Sequence, residues 1–252
     1  MTVRTWLRRT AIAFGFLTRL PVPAMHLREG DLARAAVLFP LVGLVVATGG
    51  VAARMLTEPL WGPVTGSVVG VLTVVAATGA FHEDGLADTA DGLWGGWAPE
   101  ERLAIMRDSR LGTYGTIALV GLFALRLALL APAPLGTFAT AMVCGHVLGR
   151  ASALLLTRLA PAVPTSSGAE IAGALRGGDA VVAGVLTIVP TAVAAGMLTV
   201  PLVLITVAVS MAAARLFRRR LGGVTGDALG ATTAVTEVVA MATVLAWRGG
   251  AA

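Results

Sequence analysis

Apolar residues run along this chain in long unbroken stretches, and the polar residues collect in short segments between them. Such stretches match the ~20 residues that a helix needs to cross the hydrocarbon core of a bilayer. Candidate spans fall at 35–56, 64–81, 115–131, 136–157, 180–197, 199–215 and 229–247. The fifth and sixth are divided only by Gly196 to Pro201. Residues 5–20 are too short and too basic to span. They read as an interfacial or re-entrant helix closed by Pro21 and Pro23. The expected fold is all-α: a polytopic membrane helical bundle of about seven transmembrane helices plus that N-terminal helix. It forms a single integral membrane domain over 1–252, with no internal repeat and no linker.

Composition agrees with this reading. The chain is 56% hydrophobic and 13% charged, with a mean hydropathy of +0.84, where a soluble domain carries about a quarter charged residues. All 19 basic residues are arginine, and the net charge is +5. No basic stripe with interleaved aromatics appears, which speaks against nucleic acid as a partner. The arginines instead report topology. Arg102, Arg107 and Arg110 follow the second span, Arg158 and Arg176 the fourth, and Arg215, Arg218, Arg219 and Arg220 the sixth. The alternate connections, Ala131–Leu135 and Gly196–Pro201, carry no charge. By the positive-inside rule the N-terminus and the charged connections lie in the cytoplasm. Three connections therefore open on one face and can share one site. The single Cys144 excludes a disulfide framework and a thiolate metal site.

Seven of the 14 acids lie between Glu83 and Asp108. Packed carboxylates repel one another unless a cation sits among them. Asp84, Asp88 and Asp91 follow i, i+4, i+7 spacing and would share one face of a helix. Three such oxygens suit Mg²⁺, or Mn²⁺, rather than zinc. Glu83 points elsewhere on that helix and is a further candidate ligand or an outer neighbour of the metal. His82 reads either as a base or as a structural hydrogen-bonding residue. The competing reading is a solvated acidic helix, but Leu, Ala and Thr separate the acids where Lys or Gln would be expected. The acidic loop 82–114 is thus the candidate active site.

Further along, Arg107 and Arg110 are suited to gripping phosphates, or to pairing with Glu100, Glu101 or Asp108. Asp108 is a further ligand or orients Arg110. Gly222-Gly223-Val224-Thr225-Gly226-Asp227 forms a turn at the entrance of the last span. Gly223, Thr225 and Asp227 are candidates for contacting a phosphate or a nucleotide edge. The plainer alternative is a helix break with Asp227 as N-cap. Arg19 and Arg150 can reach the same face, or act as interface anchors. Glu237 is an intramembrane carboxylate, a functional candidate by default or a partner of Arg126. The residues alone describe a membrane enzyme that uses a divalent metal to transfer a phosphorus-containing group to an alcohol. A cation transporter is the competing class, although transporter sites usually lie at the bilayer midplane between repeats.

Residues 82–92, 105–115 and 222–231 resemble the signature segments of the cobalamin synthase family, adenosylcobinamide-GDP ribazoletransferases. Thr18-Arg19-Leu20-Pro21-Val22-Pro23 and Phe39-Pro40-Leu41-Val42-Gly43 fit the same family's N-terminal pattern, while Pro161–Gly168 departs from it. The resemblance implies a prokaryotic inner-membrane enzyme needing Mg²⁺, with its active site on the cytoplasmic side. The implied substrates are adenosylcobinamide-GDP and α-ribazole or its 5′-phosphate. The ribazole hydroxyl attacks the cobinamide-side phosphate, GMP leaves, and adenosylcobalamin or its 5′-phosphate forms. A CDP-alcohol phosphotransferase is the runner-up, but Asp84-Gly85-Leu86-Ala87-Asp88 lacks the Ala-Arg of that family's motif. The expected partners are these small molecules and the lipid bilayer, and the reading leaves room for a homo-oligomer.

Overall fold

The computed structural model describes residues 2–164, 166, 168–171 and 177–249, and within them the protein is helical almost throughout. The helices are α1 (Val3–Leu17), α2 (Asp31–Ala36), α3 (Phe39–Thr78), α4 (Phe81–Gly95), α5 (Pro99–Met106) and α6 (Thr113–Leu130). They continue as α7 (Leu135–Leu159), the short α8 (Gly168–Ile171), α9 (Gly178–Ala195), α10 (Thr199–Leu221) and α11 (Gly226–Gly249). Arg176, in the charged connection after the fourth span, lies outside the described residues.

Among the described residues five segments are long and apolar enough to cross a membrane. Two of them hold four of the expected runs. Helix α3 breaks at Gly62, whose φ of 82° is open to glycine, between Pro59 and Pro63. The chain folds back there: a Cβ placed on Gly50 would lie 2.8 Å from the Gly70 carbonyl oxygen. The 44-residue segment Gly178–Leu221 breaks at Gly196, where φ is 57°, into α9 and α10. Helix α1 ends three residues before the expected boundary, because Thr18 turns to an extended conformation.

Helix α7 is the axis of the bundle, packed against α3, α9, α10 and α11. Two glycines one helical turn apart make its contact with α11 close. A Cβ on Gly145 would lie 3.2 Å from the Glu237 carbonyl oxygen, and one on Gly149 would lie 3.1 Å from that of Thr233. Small residues at such spacing let backbones approach inside a membrane.

The acidic connection forms two helices, α4 and α5, and α4 is the helix expected from the spacing of Asp84, Asp88 and Asp91. Helix α4 lies across α11 and α6 with Ala87, Thr89, Ala90 and Leu93 buried. The small and apolar residues between its acids give it sides to pack, which a solvated loop would not have.

Candidate active site

Two consecutive left-handed residues, Gly79 (φ 64°) and Ala80 (φ 58°), turn the chain from α3 into α4. Arg19 is set beside this turn. Its N–H donates to the Ala77 carbonyl at 2.7 Å, and its side chain lies against Gly79. Helix α4 then crosses α11 with no side chains between them: a Cβ on Gly85 would stand 2.9 Å from the Asp227 carbonyl oxygen. That crossing brings Asp84 and Asp88 together with Asp227. Asp84 is exposed, while Asp88 and Asp227 are half-buried. Burial pushes the Asp88 carboxyl up to about 6, reinforced by the negative charges of Asp84, Asp227 and Asp91.

Asp91 is engaged differently. Its carboxylate is buried and accepts the N–H groups of Gly112 at 2.8 Å and Gly115 at 2.9 Å. It therefore satisfies the free amides at the start of α6, where a negative charge also suits the helix dipole. Both partners are glycine because a Cβ on either would run into the carboxylate.

His82 and Glu83 turn away from the acids. Two residues before Asp84, His82 lies about 200° round the helix. Its imidazole is buried, with Nδ1 3.5 Å from Arg150 Nη2. Burial, then the charges of Arg150, His146 and Arg126, hold it well below the ordinary imidazole range, so it is neutral. Glu83 Oε1 accepts from Arg126 at 2.5 Å. Burial pushes its carboxyl up, but the Arg126 guanidinium outweighs that and holds it below its usual value.

Arg126 donates its other arm to Glu237 at 2.5 Å. Glu237 also accepts from Arg150 and lies 2.8 Å from His146 Nδ1. Arg126, Arg150, His146 and Glu237 are all at most 3% exposed. This ionic knot ties α4, α6, α7 and α11 together. The Glu237–Arg126 pair was readable as an option, but His146 was missed. Its signal was the i, i+4 pair His146 and Arg150 in an otherwise apolar helix, since ionisable groups at membrane depth need partners.

The connection after the second span brings Arg107 to the site and leaves Arg110 outside it. Arg107 caps α5 and lines a cavity of about 180 Å³ with Met106, Val163, Ser166, Thr225 and Asp227. Arg110 is exposed and grips Asp108 through Nε at 3.0 Å and Nη2 at 2.5 Å. That pairing draws the Asp108 carboxyl down to about 2. The connection after the sixth span joins the same cavity. Gly222 ends α10 in the left-handed region, and Gly223 packs against the Pro161 carbonyl. The Val224 N–H donates to the Pro161 carbonyl, and the Val224 carbonyl accepts from the Val163 N–H, both at 2.9 Å. The cap of α11 is Thr225, whose Oγ1 accepts from Ala228 N–H at 3.1 Å. Asp227 is not the N-cap, because it sits one residue inside the first turn, and its carboxylate is left to the site.

Among the described residues no three His, Cys, Asp or Glu side chains close around one ion. The donor set still fits Mg²⁺. This ion usually takes one or two carboxylates and completes its shell with water and substrate phosphates. Asp84, Asp88 and Asp227 supply such oxygens, and Asp227 also lines the cavity that Arg107 lines.

A family model described as cobalamin-5-phosphate synthase matches residues 9–245. The chain belongs to the cobalamin-5-phosphate synthase family. Relatives cover nearly all of it. An adenosylcobinamide-GDP ribazoletransferase of Ralstonia pickettii is 38% identical over 243 residues, 93% of this chain and 94% of that protein. One of Bradyrhizobium diazoefficiens is 37% identical over 254 residues, 99% and 97% of the two chains. One of Shewanella halifaxensis is 39% identical over 241 residues, 90% of each. No solved structure matches the chain. The match to the cobalamin-5-phosphate synthase family takes in every segment that forms the cavity.

Proposed function

We propose that this chain transfers the cobinamide-phosphate group of adenosylcobinamide-GDP to α-ribazole or its 5′-phosphate. The products are adenosylcobalamin, or its 5′-phosphate, and GMP. The observation that carries the reading is the meeting of Asp84 and Asp88 on α4 with Asp227 on α11, beside Arg107. A diphosphate needs that combination of cation-holding oxygens and a guanidinium.

In this reaction the ribazole hydroxyl oxygen forms a bond to the cobinamide-side phosphorus, and the bond from that phosphorus to the GMP oxygen breaks. Asp84, Asp88 and Asp227 would hold Mg²⁺. The ion they hold would supply positive charge against the diphosphate and the departing GMP. Arg107 binds a phosphate oxygen and holds the diphosphate in line with the attacking hydroxyl. His82 lies on the far face of α4, buried and neutral, so the hydroxyl proton leaves toward the carboxylate face. Asp91 sets the start of α6 against α4 and keeps the acid face in register. Asp108 holds Arg110 outside the cavity. The membrane is the inner membrane of a prokaryote, with the cavity on the cytoplasmic side, in keeping with the arginines at the end of α10.

The test is GMP release by the purified protein in detergent, given adenosylcobinamide-GDP and α-ribazole. Release that requires both α-ribazole and Mg²⁺, and stops with EDTA, is expected. Release of CMP from a CDP-alcohol instead would move the chain to a different phosphotransferase chemistry. Release that persists in EDTA would remove the metal from the mechanism.

A further inference from the structure

On the side of α4 turned away from the acids, a slot of about 420 Å³ runs between α4, α6, α10 and α11. Apart from Thr89 and Thr232 its walls are hydrocarbon, with Leu86 and Leu93 on α4, Ala118 on α6, Ala213 and Phe217 on α10, and Val235 on α11. Trp94 and Leu216 stand exposed on its rim. Helices α6 and α11, and the segment that contains α10, are all of membrane-crossing length and apolarity. The slot therefore opens toward lipid tails. Left empty, it would forfeit dispersion contacts along its whole lining, and water has too few polar partners there. Its extent along α10, from Val209 to Phe217, is about 12 Å at 1.5 Å per residue. That is the shape of an extended acyl chain.

Charge at one end selects the kind of lipid. Arg220 follows Leu216 by four residues and Phe217 by three, so it continues the same face of α10 past the slot. Its side chain is exposed, and Arg215, Arg218 and Arg219 stand around it, also exposed. Among the described residues none of these four has an ion-pair partner. A second guanidinium lies at the same end. Arg102 is buried, donates Nη1 to the Arg220 carbonyl at 3.1 Å, and has no partner for Nε. Basic groups that close an apolar cleft between membrane helices are suited to an anionic head group.

We infer that this slot binds an anionic phospholipid, with an acyl chain along the back of α4 and the phosphate at Arg220. The lipid completes the packing of the helix whose front carries Asp84 and Asp88. The inference does not depend on which group that front face transfers.

The full-length protein, reconstituted in nanodiscs of phosphatidylcholine with phosphatidylglycerol, is released into mild detergent and its retained lipid is counted by native mass spectrometry. Wild type retains phosphatidylglycerol in preference to phosphatidylcholine. Arg220→Gln lowers that preference about fivefold, the worth of one arginine at an anionic surface. Ala213→Trp fills the slot and abolishes retention; should that variant fail to fold, Val235→Trp on the rim gives the same result. Equal retention of the two lipids by wild type overturns the proposal. So does retention undiminished by the slot-filling variant that folds, or a dimer that this variant dissociates, which would make a second copy of the chain the occupant.

Discussion

Glu83 and Asp84 are neighbours on α4, yet they belong to two electrostatic regions built on opposite plans. Glu83 enters the buried knot, where two glutamates meet two arginines and two histidines, His82 and His146. Two carboxylates face two guanidiniums there, so their charges cancel inside the protein. Asp84 enters the acid face, where Asp88 and Asp227 are near neighbours and Asp88 is raised by burial and by the charges of the acids around it. The first region carries its own counter-ions and is closed. The second lacks them and is open, so it calls for a cation from outside. A buried pair broken on one side leaves an uncompensated charge, whereas a repelling carboxylate removed from an open cluster relieves the fold. Mutation can therefore separate the two regions.

The largest contrast comes from Asp88→Asn. GMP release should fall about a thousandfold, the worth of several kcal/mol of metal-assisted charge stabilisation. The melting temperature measured without Mg²⁺ should hold or rise. Near-normal turnover would take the metal away from the acid face. Glu237→Gln should do the reverse, costing about 3–5 kcal/mol of stability because Arg126 and Arg150 lose their shared acid. Thermal unfolding in detergent measures this, and an unchanged melting temperature would mean that the knot is hydrated. Both comparisons sharpen with pH. The folded-state Asp88 carboxyl lies at about 6, above its ordinary 3.8. Its charge therefore opposes folding above pH ~6, and that penalty is lifted as pH falls from ~6 toward ~4. Metal-free protein should gain stability across that window while Mg²⁺ binding weakens, because protons compete for the same oxygens. A melting temperature that falls steadily from pH 7 to 5 would contradict this. The smallest effect is expected from Asp91→Ala, about 1 kcal/mol for a lost helix cap, with a turnover loss well below that of Asp88→Asn. Equal losses would place Asp91 on the metal with the other two.

These contrasts mark where the sequence could be read and where it could not. The spacing of Asp84, Asp88 and Asp91 puts them on one helical face, and they are on one. It does not say which of the three another helix will use. Asp91 is taken by two amides that lie 21 and 24 residues further on, and nothing local signals that. Thr225 and Asp227 were both visible at the entrance of the last span, but capping went to Thr225 by the register of a single residue. The two hairpins were legible from the gap between the apolar runs 35–56 and 64–81 and from Gly196 to Pro201, and the structure adds that Pro59 and Pro63 flank the first break, where residues of that kind break helices.

By itself the sequence determined an all-α membrane bundle, the order of its apolar runs, and an acidic helix in place of a polar linker. Periodicity and hydropathy are local properties, and a bilayer turns them into helices with little freedom. Only the tertiary structure decided the pairing of Asp227 with Asp84 and Asp88, the closure of Glu237 with Arg126, Arg150 and His146, and the burial of His82 away from the acids. Each depends on which helices cross and how closely. Contacts such as Gly85 against Asp227 and Gly149 against Thr233 set that crossing through the absence of side chains. Along the sequence such a glycine is indistinguishable from any other of the 31.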